Sequence, residues 1–203
     1  MIIETPHLRL CEFVEGDWPA VLAYQSDPRY LRLYAWTERT EADVRAFVAR
    51  FVAWQAVEPR HKFQLAVTLR DGGRLIGNCG IRLAEAGART GDLGYEISPE
   101  FWGHGYATEA ARAMVGFGFE ELGLHRVWGE CVPENAASRR VMEKLGMRNE
   151  GRLRQTRWYK GRWWDTLVYA VLEDERRVGM GVNRTAECMI SAENKWLQPK
   201  TST

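Results

Sequence analysis

The chain has 203 residues, is 45% hydrophobic and 27% charged, and carries a formal net charge of +1. That length suits one good-sized domain, alone or with a tail, and the near-neutral balance excludes the broad basic footprint of a nucleic-acid binder. No apolar run approaches the roughly 20 residues of a membrane span, and the opening MIIETPHLRLCEF has neither the basic start nor the long apolar core of a signal peptide.

In chain order, HLRLCEFV (residues 7–14) alternates apolar and polar side chains and predicts a first strand. GDWPAVLAYQ follows as a short helix, with Asp17 as N-cap and Pro19 in the first turn. SDPRYLRLYAW (26–36) reads as an aromatic-rich loop. A second helix starts at Thr40, with Asp43 at capping-box spacing, and puts Val44, Phe47, Val48, Phe51 and Val52 on one face. FQLAVTL and RLIGNCGIRL flank Asp71-Gly72-Gly73, a strong hairpin signal. GDLGYEIS (91–98) predicts a central strand stopped by Pro99, and a helix is expected from Tyr106 to about Leu122. HRVWGECV (125–132) is another strand, and ENAASRRVMEKLGM is a short helix closed by Gly146. RNEGRLRQTRWY and RWWDTLVYAVLE, joined by Lys160-Gly161, form a terminal antiparallel pair.

Alternating strands and helices with hairpins at both ends predict a mixed α/β sheet in one domain. From about Arg176 the composition turns polar and aperiodic, compatible with a docked extension, an oligomer arm or a loose tail. Cys11, Cys79, Cys131 and Cys188 are scattered, as are His7, His61, His104 and His125. Without a CxxC pair or a Cys/His cluster at zinc spacing, reduced thiols in the cytoplasm and no metal site are expected.

Trp102-Gly103-His104-Gly105-Tyr106-Ala107-Thr108 places two glycines, and no acidic residue, at the mouth of a helix. The first amides of a helix have no internal partner and carry the positive end of its dipole. They hold phosphate where the backbone can approach closely, which glycine permits. A tight loop with glycines for geometry alone is the bland alternative. The P-loop pattern GxxxxGK[ST] is absent. Gly103 and Gly105 give the GxG of a dinucleotide fingerprint, but Thr108 takes its third small position and the unit lies mid-chain.

From Leu93 to Gly151 the sequence strongly resembles the GNAT acetyltransferases, and within them the branch holding the ribosomal-protein N-terminal acetyltransferases. The family's Q/R-x-x-G-x-G/A element lands on Trp102-x-x-Gly105-x-Ala107, with Trp102 where the wider family has Gln or Arg. PENAASRRVMEKLGM matches the branch's second signature through Asn135, Ser138 and Leu145-Gly146. The resemblance runs loosely from TPHLRL to about residue 172. It implies a GNAT fold over residues 1–175, an α/β chain with a central mixed, mostly antiparallel sheet of about seven strands and about four helices. Residues 176–203 are then a C-terminal extension of unknown role.

The resemblance also implies acetyl-CoA as co-substrate and an amine as acceptor, first a protein N-terminal α-amine. A small-molecule amine, antibiotic or metabolite, or a non-catalytic acyl-CoA-binding module are the alternatives. Backbone amides of Gly103, His104, Gly105, Tyr106, Ala107 and Thr108 would hold the diphosphate. The strand edge at Glu96, Ile97 and Ser98 would pair with the pantetheine in a gap between this strand and the next. Partners would include neither nucleic acid nor membrane, and a homodimer stays open.

Acetyl transfer to an amine needs a neutral amine, a polarised carbonyl and a proton for the departing thiolate. Ser138 is the candidate acid, since Met142 stands where many relatives carry Tyr. It would equally serve as a polar surface residue. Glu96 is the candidate base, directly or through water, against the reading of a strand-end ion pair; Glu130 is a weaker alternative. Asn135 is a candidate for helix cap, cofactor contact or both. Tyr34 and Trp36, beside Tyr30, are candidates for the acceptor pocket, with Trp158, Tyr159, Trp163 and Trp164 as a second aromatic group; packing explains such rings as well.

Overall fold

The computed structural model describes residues 1–179. The strands among them are β1 (Ile2–Glu4), β2 (Leu8–Glu12), β3 (Lys62–Leu69), β4 (Leu75–Leu83), β5 (Thr90–Ile97), β6 (Arg126–Cys131), β7 (Arg148–Tyr159) and β8 (Arg162–Leu172). The helices are α1 (Trp18–Gln25), α2 (Pro28–Leu31), α3 (Glu41–Gln55), α4 (Tyr106–Glu120), α5 (Ala136–Lys144) and α6 (Glu173–Gly179). The strands form one sheet in the order β1-β2-β3-β4-β5-β6-β8-β7. Every neighbouring pair is antiparallel except β5 and β6.

The mixed, mostly antiparallel α/β architecture is as expected, with one more strand and two more helices than the sequence suggests. β1 has three residues, too few to display an alternation. α2 lies in the stretch read as a loop: Asp27 caps it by accepting the Arg29 amide at 2.8 Å, and Pro28 occupies its first turn. The Asp17 side chain turns backward to the Val14 amide (2.9 Å) and gives α1 no side-chain cap. α3 starts with the expected reciprocal pair, the Asp43 amide donating to Thr40 Oγ1 and the Thr40 amide to Asp43 Oδ2. β7 carries a register shift between Leu153 and Arg157, with Gln155 at φ 52°, so the terminal pair is kinked. Of the expected C-terminal extension, residues 180–203 lie outside the described residues, as does Cys188.

The alternation of each strand divides two apolar layers across the sheet. On one face Leu10, Leu65, Ile76 and Ile81 pack against Ala110, Ala111 and Met114 of α4. On the other, Phe13 and Ala66 meet Val21 of α1 with Val44, Val48 and Phe51 of α3. Leu10, Leu65 and Met114 are 0% exposed, each worth about 1.5–3 kcal/mol of burial. β5 contributes to both faces: Leu93, Tyr95 and Ile97 belong to the α4 layer, while Asp92 and Glu96 join polar partners beneath α1. That alternation positions the site.

Candidate active site

β5 and β6 pair only at Thr90–Asp92 with Arg126–Trp128. β5 runs on to Ile97 and β6 to Cys131, so the strands part beyond Asp92 and a cleft of about 1190 Å³ opens between them. The start of α4, the start of α5, the segment Tyr30–Trp36 and the β7–β8 tip enclose it.

At one side of the cleft stands the mouth of α4. Gly103 and Gly105 have φ of +85° and +86°, a region that costs an L-residue roughly 1–2 kcal/mol. A Cβ at either position would meet nothing within 4 Å, so backbone conformation requires glycine here, and nothing crowds the approach. The first bond of the helix is donated by the Glu109 amide to the Gly105 carbonyl at 3.0 Å. The amides of Tyr106, Ala107 and Thr108 precede it, and no side chain caps this end. Together with the dipole this makes an open anion cradle, a fit for a diphosphate tested on backbone atoms. Glu109 faces away from it: its carboxylate takes the Thr5 hydroxyl (2.6 Å), the His7 amide (2.8 Å) and the His7 ring (3.0 Å), tying the first turn of α4 to the N-terminal strands.

The neighbours of the cradle are anchored. Trp102 donates its indole N–H to the Ile97 carbonyl at 2.7 Å, the Ser98 amide donates to the Ile76 carbonyl at 2.7 Å, and the His104 ring stacks on Tyr106 at 5.6 Å. Trp102, Gly103, Gly105 and Ile97 line the cleft; Ser98 and His104 stand outside its lining.

On the α4 face, α5 brings Ser138 to the cleft. Asn135 caps α5 by accepting the Ser138 amide at 3.0 Å, and both residues line the opening. The Ser138 hydroxyl lies 2.8 Å from the Tyr95 hydroxyl, which also reaches the Ser138 carbonyl at 3.1 Å. Burial pushes Tyr95 upward, with the Ser138 contact opposing, so the phenol stays protonated. Met142 is 1% exposed in the core and offers no donor. Cys131 also lines the cleft, and burial pushes its thiol up to about 11, leaving it a poor nucleophile at neutral pH.

On the opposite face Glu96 is held by three donors: the Tyr24 hydroxyl (3.1 Å), Gln25 Nε2 (3.0 Å) and Asn78 Nδ2 (2.9 Å). It is thus a hydrogen-bonded carboxylate under α1 rather than a strand-end ion pair. Burial, then the charge of Glu96, pushes Tyr24 and Tyr34 well above the usual phenol value. Glu130 is ion-paired with Arg157.

The far wall is aromatic. Tyr30 stacks on Tyr34 (4.2 Å), Tyr34 on Trp36 (5.0 Å), and Arg39 caps Trp36 at 4.8 Å. Tyr34 and Trp36 both line the cleft. Lys160 at the β7–β8 tip donates to the Leu31 carbonyl at 2.6 Å and draws the hairpin onto this wall. Of the second aromatic group, Trp158 and Tyr159 reach the cleft, Trp164 is buried against Tyr159, and Trp163 is 53% exposed beside Trp158.

The structure therefore gathers Glu96, Ser138, Asn135, Tyr34, Trp36 and the glycine mouth around one gap. Sequence reasoning missed Tyr24, Gln25, Asn78 and Tyr95. For Tyr95 a signal existed, since a tyrosine beside Glu96 in a strand must face the opposite layer, toward α5.

Comparison with known proteins gives the same result. The acetyltransferase (GNAT) domain family matches residues 7–148. An uncharacterized N-acetyltransferase of Bacillus subtilis, YnaD, is 39% identical over 175 residues, spanning 86% of this chain and 99% of that protein. A GNAT-family acetyltransferase structure from Bacillus anthracis superposes with a TM-score of 0.75 at 34% identity, covering 86% of this chain and 99% of that one. RimL, a ribosomal alpha-N-protein acetyltransferase solved with coenzyme A, shares the fold with a TM-score of 0.76 at 18% identity, covering 86% and 99%. The chain belongs to the GNAT acetyltransferases and is an acetyl-CoA-dependent N-acetyltransferase.

Proposed function

We propose that the protein acetylates a primary amine by direct attack on acetyl-CoA, and that the acceptor is the N-terminal α-amine of a peptide or protein. The observation that carries the reaction is that Glu96 and Ser138 reach the gap between β5 and β6 from opposite faces of the sheet. The amides of α4 hold the diphosphate, and the thioester lies in the gap. Glu96 takes the proton from nitrogen as the C–N bond forms. Ser138, with the Tyr95 hydroxyl hydrogen-bonded behind it, hands its proton to the sulfur as the C–S bond breaks; solvent then reprotonates Ser138 and takes the proton from Glu96, which closes the cycle. The protonated Cys131 argues against an acetyl-enzyme stage.

Two points support an α-amine. Its ordinary pKa lies near 8, against about 10.4 for lysine, so a carboxylate has far less proton affinity to overcome. The cleft lining also includes an exposed ring, Trp158 at 60%, along with Tyr34 and Trp36, a surface that suits an extended peptide. The test is thiol release from acetyl-CoA with a panel of short peptides bearing free or blocked N-termini, peptides with lysine only, and small primary amines. Turnover confined to free N-termini is expected. Turnover confined to small amines overturns the acceptor, and binding of acetyl-CoA without any thiol release overturns the enzyme mechanism.

A further inference from the structure

All three donors to Glu96 end on one oxygen, Oε2, and none of them on Oε1. Two come from side-chain amides, those of Gln25 and Asn78, which are 0% and 2% exposed. An amide has two faces: its oxygen accepts, its NH2 donates, and a half-turn exchanges them. The carboxylate accepts only, so it already turns the NH2 of each amide toward itself. The other end fixes where that NH2 sits. Arg39 Nε donates to Gln25 Oε1 at 2.9 Å. Arg82 Nη1 lies 3.5 Å from Gln64 Oε1, and Gln64 Nε2 donates to Asn78 Oδ1 at 2.7 Å. A guanidinium has donors and no acceptor, so it tolerates only the oxygen face of an amide. Arg82 is itself fixed by Asp92, Nε to Oδ2 at 3.0 Å. Two relays that begin at arginine thus converge on one carboxylate oxygen.

We infer that Arg39 is a positioning residue for the reaction: by bonding Gln25 Oε1 it fixes the place of the Gln25 NH2 on Glu96 Oε2, and with it the rotamer in which the carboxylate faces the acceptor amine. The inference rests on the reading of Glu96 as base. Arg82 does the same for Asn78 through Gln64. Arg39 gives the cleaner test, because it bonds Gln25 directly at 2.9 Å, whereas Arg82 is ion-paired with Asp92 and acts through Gln64. Without it Gln25 Oε1 is left buried without its charged donor, and the side chain shifts to find another, drawing its NH2 off Glu96. Arg39 also covers the rings of Trp36 (4.8 Å) and Phe47 (5.7 Å), so a loss of activity alone does not identify its role. Coupling to Glu96 does, since a lost ring contact costs the same whether or not the carboxylate is present.

The experiment is a double-mutant cycle of Arg39→Met and Glu96→Gln, with Arg39→Lys as the conservative variant. The readout is kcat by thiol release at saturating acetyl-CoA, with the best acceptor among N-terminal Ser, Ala and Met peptides and small primary amines. Unchanged acetyl-CoA affinity serves as the check on folding. Arg39→Met is expected to lower kcat about tenfold when Glu96 is intact and less than about twofold in the Glu96→Gln background. Arg39→Lys, also donor-only, recovers most of the loss. An equal loss in both backgrounds, or no loss from Arg39→Met, overturns the inference while Glu96→Gln remains impaired. Wild-type kcat in Glu96→Gln, or no turnover with any acceptor, overturns the Glu96 reading itself and this inference with it.

Discussion

The two sides of the cleft are built on different principles. The α4 side is made of backbone: Gly103, Gly105 and the first amides of the helix, within six consecutive residues and anchored by short-range contacts such as Trp102 to Ile97. The acceptor side is made of side chains from remote segments: α1, the Tyr30–Trp36 wall and a hairpin tip pinned to it by Lys160. A cradle of main-chain atoms can be kept by glycines alone, whatever else changes. A wall of rings and relayed amides changes with every side chain in it. On the proposed reading, donor use is set by conformation and acceptor choice by side chains, so the two should fail separately under mutation.

The sharpest way to break it is Gly105→Glu. The substitution forces a side chain into φ +86° and sets a charge against the dipole. It should weaken acetyl-CoA binding on the order of 100-fold or more by calorimetry; unchanged affinity would show that the mouth does not hold the phosphates. Ser138→Ala comes next. It removes the hydroxyl beside Tyr95 and should lower kcat about 10²-fold while acetyl-CoA affinity holds; an unaltered rate returns Ser138 to the role of a capped helix residue. Trp36→Ala tests the other side. It strips one ring from the stack and should raise the acceptor KM about three- to tenfold, leaving acetyl-CoA affinity unchanged. A parallel loss of acetyl-CoA binding would erase the distinction between the two sides.

The smallest effect concerns the tether behind α4. Burial works against the Glu109 carboxylate, but the Thr5 hydroxyl and the His7 amide and ring hold it below the usual carboxylate value. A depressed folded-state value stabilises at pH above the unfolded value, and that contribution is lost as pH falls through the folded one. Glu109→Gln should therefore cost less than about 1 kcal/mol near neutrality, given the partial exposure of the group. Thermal melts of variant and wild type should converge in acid; a gap that persists there would assign the loss to packing instead.

The same contrast explains how far the sequence could be read. Gly103, Gly105, Asn135 and Ser138 were legible because their roles are local: a helix mouth, a cap, one turn of helix. The core followed from alternation in β2 and from the apolar stripe of α3. Tyr24, Gln25 and Asn78 were not legible, because their partner Glu96 stands 72, 71 and 18 positions away. Such pairings are fixed by strand register and by where α1 crosses the sheet, and no local pattern records either. β1 and α2 escaped for a different reason, being shorter than the periods by which strands and helices announce themselves. The α2 cap Asp27-Pro28 was visible, but without a periodic run behind it.

In the proposed mechanism bare amides at the start of α4 grip the diphosphate and so aim the thioester into the gap between β5 and β6. A crystal structure with coenzyme A bound tests it most directly. Diphosphate oxygens are expected about 3 Å from the amides of residues 105–108, with the sulfur between Glu96 and Ser138. A diphosphate seated elsewhere, or those amides turned to protein partners, would contradict it.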